Sequence, residues 1–146
     1  MGARSKARKR AVEVLYESDL RGLDLETLLS ERIGSTEAPV VQDYTVTLVT
    51  GVAARLRHLD ELIVEHAEGW TLERMPTVDR AVLRLGLFEL LFGEDVPPIV
   101  AIDEAVDLVK GLSTDDSPRF VNGLMDRVAG RREQLRVPAA SEQDES

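Results

Sequence analysis

"PTVDRAVLRLGLFELLFG", residues 76–93, is the stretch whose reading decides the fold. Val78, Ala81, Val82, Leu83, Leu85, Leu87, Phe88, Leu90 and Leu91 leave it almost no polar face. A helix that is apolar nearly all round is a buried one. No apolar run in the chain approaches the roughly 18 residues of a membrane span. The stretch therefore reads as the central helix of a core, stopped by Gly93 and "EDVPP".

The helical period continues on both sides. "VVQDYTVTLVTGVAARLRHLDELIVEHAEG", residues 40–69, carries Val41, Tyr44, Leu48, Val52, Leu56 and Leu59 at spacings of three and four, with Leu62 and Ile63 continuing. Its β-branched run "TVTLVTGV" favours a strand by propensity, but the spacing persists across it, so one long helix is expected there. "LDLETLLSERIGSTEAP", residues 23–39, reads as a shorter helix ended by Gly34 and a polar loop. "WTLERM", residues 70–75, reads as a short linking turn.

After the central stretch comes "IVAIDEAVDLVKGLS", residues 99–113, with Ile102, Ala105, Val106 and Val109 inward. The last helix spans "TDDSPRFVNGLMDRVAGRREQLRV", residues 114–137. Ser117 is placed to cap it and Pro118 to occupy its first position. Gly123 is expected to admit a neighbouring helix, and Asn122 to bond a nearby backbone. At the front, Val12, Leu15, Tyr16, Leu20 and Leu23 form an apolar stripe. The class is all-α, with about seven helices.

Charge is divided unevenly. The chain has 146 residues and a formal net charge of −9, yet residues 1–10 hold Arg4, Lys6, Arg8, Lys9 and Arg10 and no acid. Residues 11–137 hold 13 basic and 24 acidic residues. An acidic body repels nucleic acid on average, so a polyanion must meet a local basic surface, and this arm is the candidate. It is expected as the exposed first turns of helix one. The tail 138–146, with Glu142, Asp144 and Glu145, reads as disordered.

Machinery for catalysis is scarce. The chain has no cysteine, which excludes disulfides, thiolate metal sites and a cysteine nucleophile, and suits a reducing cytosol. There is no glycine-rich phosphate loop and no G-x-S-x-G elbow. His58, Glu61 and Glu65 can share a helix face, but no second cluster completes a coordination shell, so they read as solvated. The expectation is a protein without enzymatic activity, cofactor or metal. Recognition remains. Arg119 and Phe120 stand at a helix start, where a ring beside a cation can stack on an unpaired base and hold its phosphate, although by pattern alone Phe120 reads as plain core.

"ARKRAVEVLYE" (residues 7–17), "VDRAVLRLGLFELL" (78–91) and "VAIDEAVDLVKGLSTDDSPRFVNGLMDRV" (100–128) resemble, in order and at matching spacings, the bacterial NusB family of transcription antitermination factors. The resemblance runs from about residue 3 to 130. It implies one NusB-like domain over residues 1–137, with an N-terminal helical subdomain to about residue 69 and a C-terminal one over about 70–137. It also implies binding to boxA single-stranded RNA of nascent transcripts together with ribosomal protein NusE. The setting would be the cytoplasmic RNA polymerase antitermination complex, and a homodimer is possible.

By the same resemblance, Arg4, Lys6, Arg8, Lys9, Arg10, Tyr16, Asp116, Arg119 and Phe120 match RNA-proximal positions. Asp79 matches one facing NusE. The arm and residues 116–120 would form two halves of one RNA site. Two other readings compete: the front domain of a ribosomal RNA cytosine methyltransferase, and a scaffold that binds proteins alone.

Overall fold

Residues 76–93 do form the central helix, Thr77–Phe92, in a computed structural model that describes residues 2–136. The expected disordered tail, 138–146, lies outside the described residues. In chain order the helices are α1 (Ala3–Arg21), α2 (Leu25–Gly34), α3 (Asp43–Ala54), α4 (Leu56–His66), α5 (Thr77–Phe92), α6 (Pro98–Leu112), α7 (Ser117–Ala129) and α8 (Arg132–Leu135). A 3-10 turn, Leu72–Arg74, joins α4 to α5. Among the described residues there is no strand, and no helix is long and apolar enough to cross a membrane.

The apolar pattern of α5 explains its position. Ala81, Val82, Leu83, Leu85, Leu87, Leu90 and Leu91 are all buried, and α1, α3, α4, α6, α7 and α8 pack around them. Each such valine or leucine contributes about 1.5–3 kcal/mol on burial. The buried apolar residues of all eight helices form one continuous cluster. Gly51 permits the closest approach in it. A Cβ there would lie 2.1 Å from Cζ of Phe88, so only glycine lets α3 lie against that ring.

Charged pairs set the direction of α1. Near its start, the Arg8 guanidinium donates to Glu89, late in α5, at 2.8 Å and 3.0 Å. Near its end, Asp19 accepts from Arg80, early in α5, at 2.8 Å. The two helices are therefore antiparallel. Ser5 donates to Glu104 of α6 at 2.8 Å, so α6 flanks the start of α1.

Several expectations change. The long third helix is two, broken at Arg55 (φ −124°, ψ 21°), whose guanidinium lies 4.0 Å from the Phe92 ring centroid. α3 packs mainly on α1, α2 and α5, whereas α4 packs on α5 and α7, and one straight rod cannot follow both. The last helix likewise stops at Ala129 and resumes as α8. The stripe of α1 is rotated: Ala7, Ala11, Val12, Val14, Leu15 and Ser18 are buried, while Leu20 is 63% exposed and Tyr16 only partly buried. Small alanines let the neighbouring helices approach that side more closely than leucines would.

At α7, Asp116 is the N-cap residue and makes no side-chain cap bond. Ser117 is already helical and turns its hydroxyl inward. Gly123 meets no other helix, since the nearest atom to a Cβ there is Nη1 of Arg127 at 3.3 Å. Asn122 donates to the Asp126 side chain at 3.4 Å and not to a backbone.

Candidate nucleic-acid interface

The arm is the first two turns of α1, and helical geometry separates its five cations. Lys6 and Lys9 are exposed, and with Arg10, Glu13, Pro39, Val40 and Gln42 they line an open cavity of about 370 Å³. Arg10 reaches Glu13 at 3.7 Å through Nη1. Its Nε and Nη2, though shielded, have no hydrogen-bond partner. Three cations around an open cavity, one with spare donors, suit a phosphate. Arg4 lies apart, its guanidinium 4.4 Å from the Tyr44 ring centroid.

Arg8 points the other way and is 3% exposed. Its Nη1 lies 3.2 Å from Glu104, in addition to the bonds with Glu89. Burial alone would lower its pKa, but the hydrogen bond and charge of Glu89, with Glu104, hold the group above its ordinary value. Tyr44 also donates its hydroxyl to Glu89. Burial and that bond push the Tyr44 phenol up from 10.0 to about 12. The folded chain thus keeps a proton that the unfolded chain releases near 10. The associated stability is full below pH 10 and is lost as pH rises through about 12. In a Tyr16→Phe variant Tyr44 is the one remaining tyrosine. Its ultraviolet absorbance should titrate with a midpoint near 12; a midpoint near 10 would mean the phenol does not meet Glu89.

The second group lies at the start of α7. Asp79, on the first turn of α5 and 2% exposed, accepts from Ser113 at 2.6 Å and from Ser117 at 2.8 Å. Thr114 N–H donates to the Ser117 hydroxyl at 3.2 Å. These bonds fix the turn from α6 into α7, and they present Asp116 and Arg119 to solvent with Phe120 partly buried beside them. Arg119 has no ion pair among the described residues.

The two groups do not lie side by side. The arm is tied to Glu89 and the α7 start to Asp79, ten residues apart on α5. That is about 15 Å along a helix rising 1.5 Å per residue. An apolar groove of about 430 Å³ lies on the α7 side, lined by Val12, Tyr16, Leu20, Val78 and Leu112. Glu13 lines both this groove and the basic cavity, and Leu112 ends α6 just before the turn into α7, so Tyr16 lies between the arm and that turn. Basic cavity, aromatic groove and helix start occupy successive positions along one molecule.

A family model described as the NusB family matches residues 5–130. The chain belongs to the NusB family. The transcription antitermination protein NusB of Saccharopolyspora erythraea is 71% identical over 137 residues, which cover 93% of each chain. The solved T. maritima NusB is 34% identical with a TM-score of 0.79, covering 92% of this chain and 96% of its own. A crystal structure of antitermination factors NusB and NusE in complex with dsRNA contains a chain 30% identical, with a TM-score of 0.74. That match covers 87% of this chain and 96% of the other.

In this NusB-family chain, burial corrects two residue assignments. Arg8, expected on the exposed arm, is 3% exposed, and its charge is met inside the fold by Glu89 and Glu104. Asp79 was expected to face NusE, but both of its carboxylate oxygens are taken by serine hydroxyls within the chain. Its part is to position α7. Among the polar residues near histidine, His58 Nε2 lies 3.3 Å from the Leu135 carbonyl, in a contact between α4 and α8. Tyr44, Glu89 and Glu104 escaped the sequence reading because their partners on α1 are 36 or more positions away. Trp70 escaped it too, although being the one tryptophan was a signal.

Proposed function

We propose that this NusB-family chain is a transcription antitermination factor. In this reading it binds boxA RNA of nascent transcripts together with ribosomal protein NusE, so that RNA polymerase reads through terminators in ribosomal RNA operons. The observation that carries the reading is family membership over residues 5–130, shared with a solved NusB–NusE–RNA complex. The work is done in the cytoplasm and needs binding alone; no reaction is assigned.

We assign phosphate contacts to Arg4, Lys6, Lys9, Arg10 and Arg119, base stacking to Phe120 and Tyr16, and hydrogen bonding of a base edge to Asp116. Single-stranded RNA suits the separation of the two groups, because a flexible strand can run from a basic cavity to an aromatic ledge. The acidic body favours a basic ribosomal protein, which leaves the arm as the surface for a polyanion. The curated relative of similar length is an antitermination protein, which favours this reading over a methyltransferase front domain or a protein-only scaffold.

Fluorescence anisotropy with NusE present should show boxA RNA bound more tightly than a scrambled RNA. Affinity should also fall steeply as salt is added, because counterions return to the phosphates. Equal weak binding of both RNAs would sink the proposal.

A further inference from the structure

Trp70 is the one tryptophan of an aromatic-poor chain, and it is 50% exposed. Such a ring normally buries more of its large apolar area. The backbone holds it out deliberately. α4 ends at His66, and Glu68 (φ 49°) and Gly69 (φ 96°) both take left-handed conformations just before the ring. The Trp70 N–H donates to the Ala67 carbonyl at 3.4 Å, which closes the turn. From α7, Arg127 donates to the His66 carbonyl at 2.7 Å and anchors the turn's base. The result is a ring centroid 6.3 Å from that of Phe120, with the planes at 58°. A tilted pair of this kind is a favourable aromatic contact, and half of the Trp70 surface stays exposed beside it.

The surroundings decide what that surface can take. Its sequence neighbours Glu68, Gly69, Thr71, Glu73 and Arg74 are exposed and not apolar, while Leu72 is half-buried against the core. Trp70 lines neither the Tyr16–Leu112 groove nor the apolar groove on α4 around Val64. A protein-binding tryptophan is usually the centre of an apolar, water-excluding patch, whereas the exposed residues flanking this one in sequence are polar or charged. A half-exposed indole packed at a tilt against Phe120, with Arg119, which has no ion pair among the described residues, one residue before that ring on α7, has the makeup of a base-stacking ledge with a phosphate contact.

We propose that Trp70 and Phe120 form one two-ring ledge, and that the exposed face of Trp70 stacks on an unpaired base of single-stranded RNA whose phosphate Arg119 holds. This rests on the RNA-binding function above and adds a residue and a base subsite to it. Arg119 directly precedes Phe120 on α7.

Because Trp70 is unique, its own emission reports the contact. The full chain is titrated with single-stranded boxA RNA while tryptophan emission and the anisotropy of labelled RNA are read together, with and without NusE. A Trp70→Leu sample supplies the blank for NusE emission. Emission should be quenched in step with the anisotropy rise. Trp70→Leu, checked for folding by circular dichroism, should bind roughly tenfold more weakly, within the range expected for one lost stacking contact. Trp70→Phe should recover most of that loss.

Binding seen by anisotropy with unchanged emission and unchanged Trp70→Leu affinity would overturn the ledge and leave the RNA-binding function standing. A change of emission with NusE alone and none with RNA would assign Trp70 to a protein interface, which also overturns it. Absence of any RNA binding by the unaltered chain would overturn both.

Discussion

Glu89→Ala should lower the stability of the folded chain by about 3–5 kcal/mol, the range for removing one partner of a buried ion pair. Glu89 is 1% exposed and is the point where three elements meet. It accepts two bonds from Arg8 on α1 and one from the Tyr44 hydroxyl on α3. Without it, a buried guanidinium and a phenol are left facing an apolar void. Glu104 can take part of the charge, since its carboxylate is 3.2 Å from Arg8 and 27% exposed, which favours the lower half of the range. Urea unfolding followed by circular dichroism measures the loss. A change below about 1 kcal/mol would mean that Glu104 alone satisfies Arg8.

A double replacement, Arg8→Met with Glu89→Leu, sharpens the point. Removing both charges leaves no uncompensated ion, so much of the stability should return. RNA affinity should also stay near that of the unaltered chain, because Arg8 faces inward while Lys6, Lys9 and Arg10 keep their places on the helix. A strong loss of RNA binding in a stable double variant would put Arg8 back among the RNA contacts.

Asp79→Ala carries the second large effect, about 2–4 kcal/mol. Two hydroxyl groups donate to its buried carboxylate, and hydrogen bonds to a charged group contribute about 1.5–3 kcal/mol each. Ser113 and Ser117 retain one another at 3.1 Å, and Ser117 retains Thr114, so part of the loss is recovered. The consequence for function follows from geometry. The bonds hold the turn that presents Asp116, Arg119 and Phe120, so RNA affinity should fall along with stability. NusE affinity, measured at a temperature where the variant is folded, should change less than RNA affinity. The opposite outcome, unchanged stability with a selective loss of NusE binding, would show Asp79 acting as a direct partner contact.

The legibility of this chain divides along a physical line. Residues 76–93 announce a buried helix because a segment without a polar face has no stable place at a surface. The period of three and four likewise marks helices through a β-branched run, since packing outweighs the small propensity differences of valine and threonine. Five cations within the first ten residues, and an arginine beside an aromatic at residues 119–120, could be read directly. So could the family resemblance, which depends only on the order and spacing of residues.

Tertiary contacts decided the rest. Arg8 and Lys9 are neighbours in sequence, but a helix turns 100° between them, and only Glu89, 81 positions away, determines that one is buried. The resemblance places Asp79 toward NusE, and nothing local announces its bonds to Ser113 and Ser117. The break at Arg55 has no glycine or proline to signal it and arises from two sets of neighbours pulling one helix in two directions. The arm and the α7 start, expected together, are held apart by the length of α5. Sequence periodicity determines that a residue lies on some face of a helix; which neighbour covers that face, and which charges remain for RNA, is settled only when the helices pack.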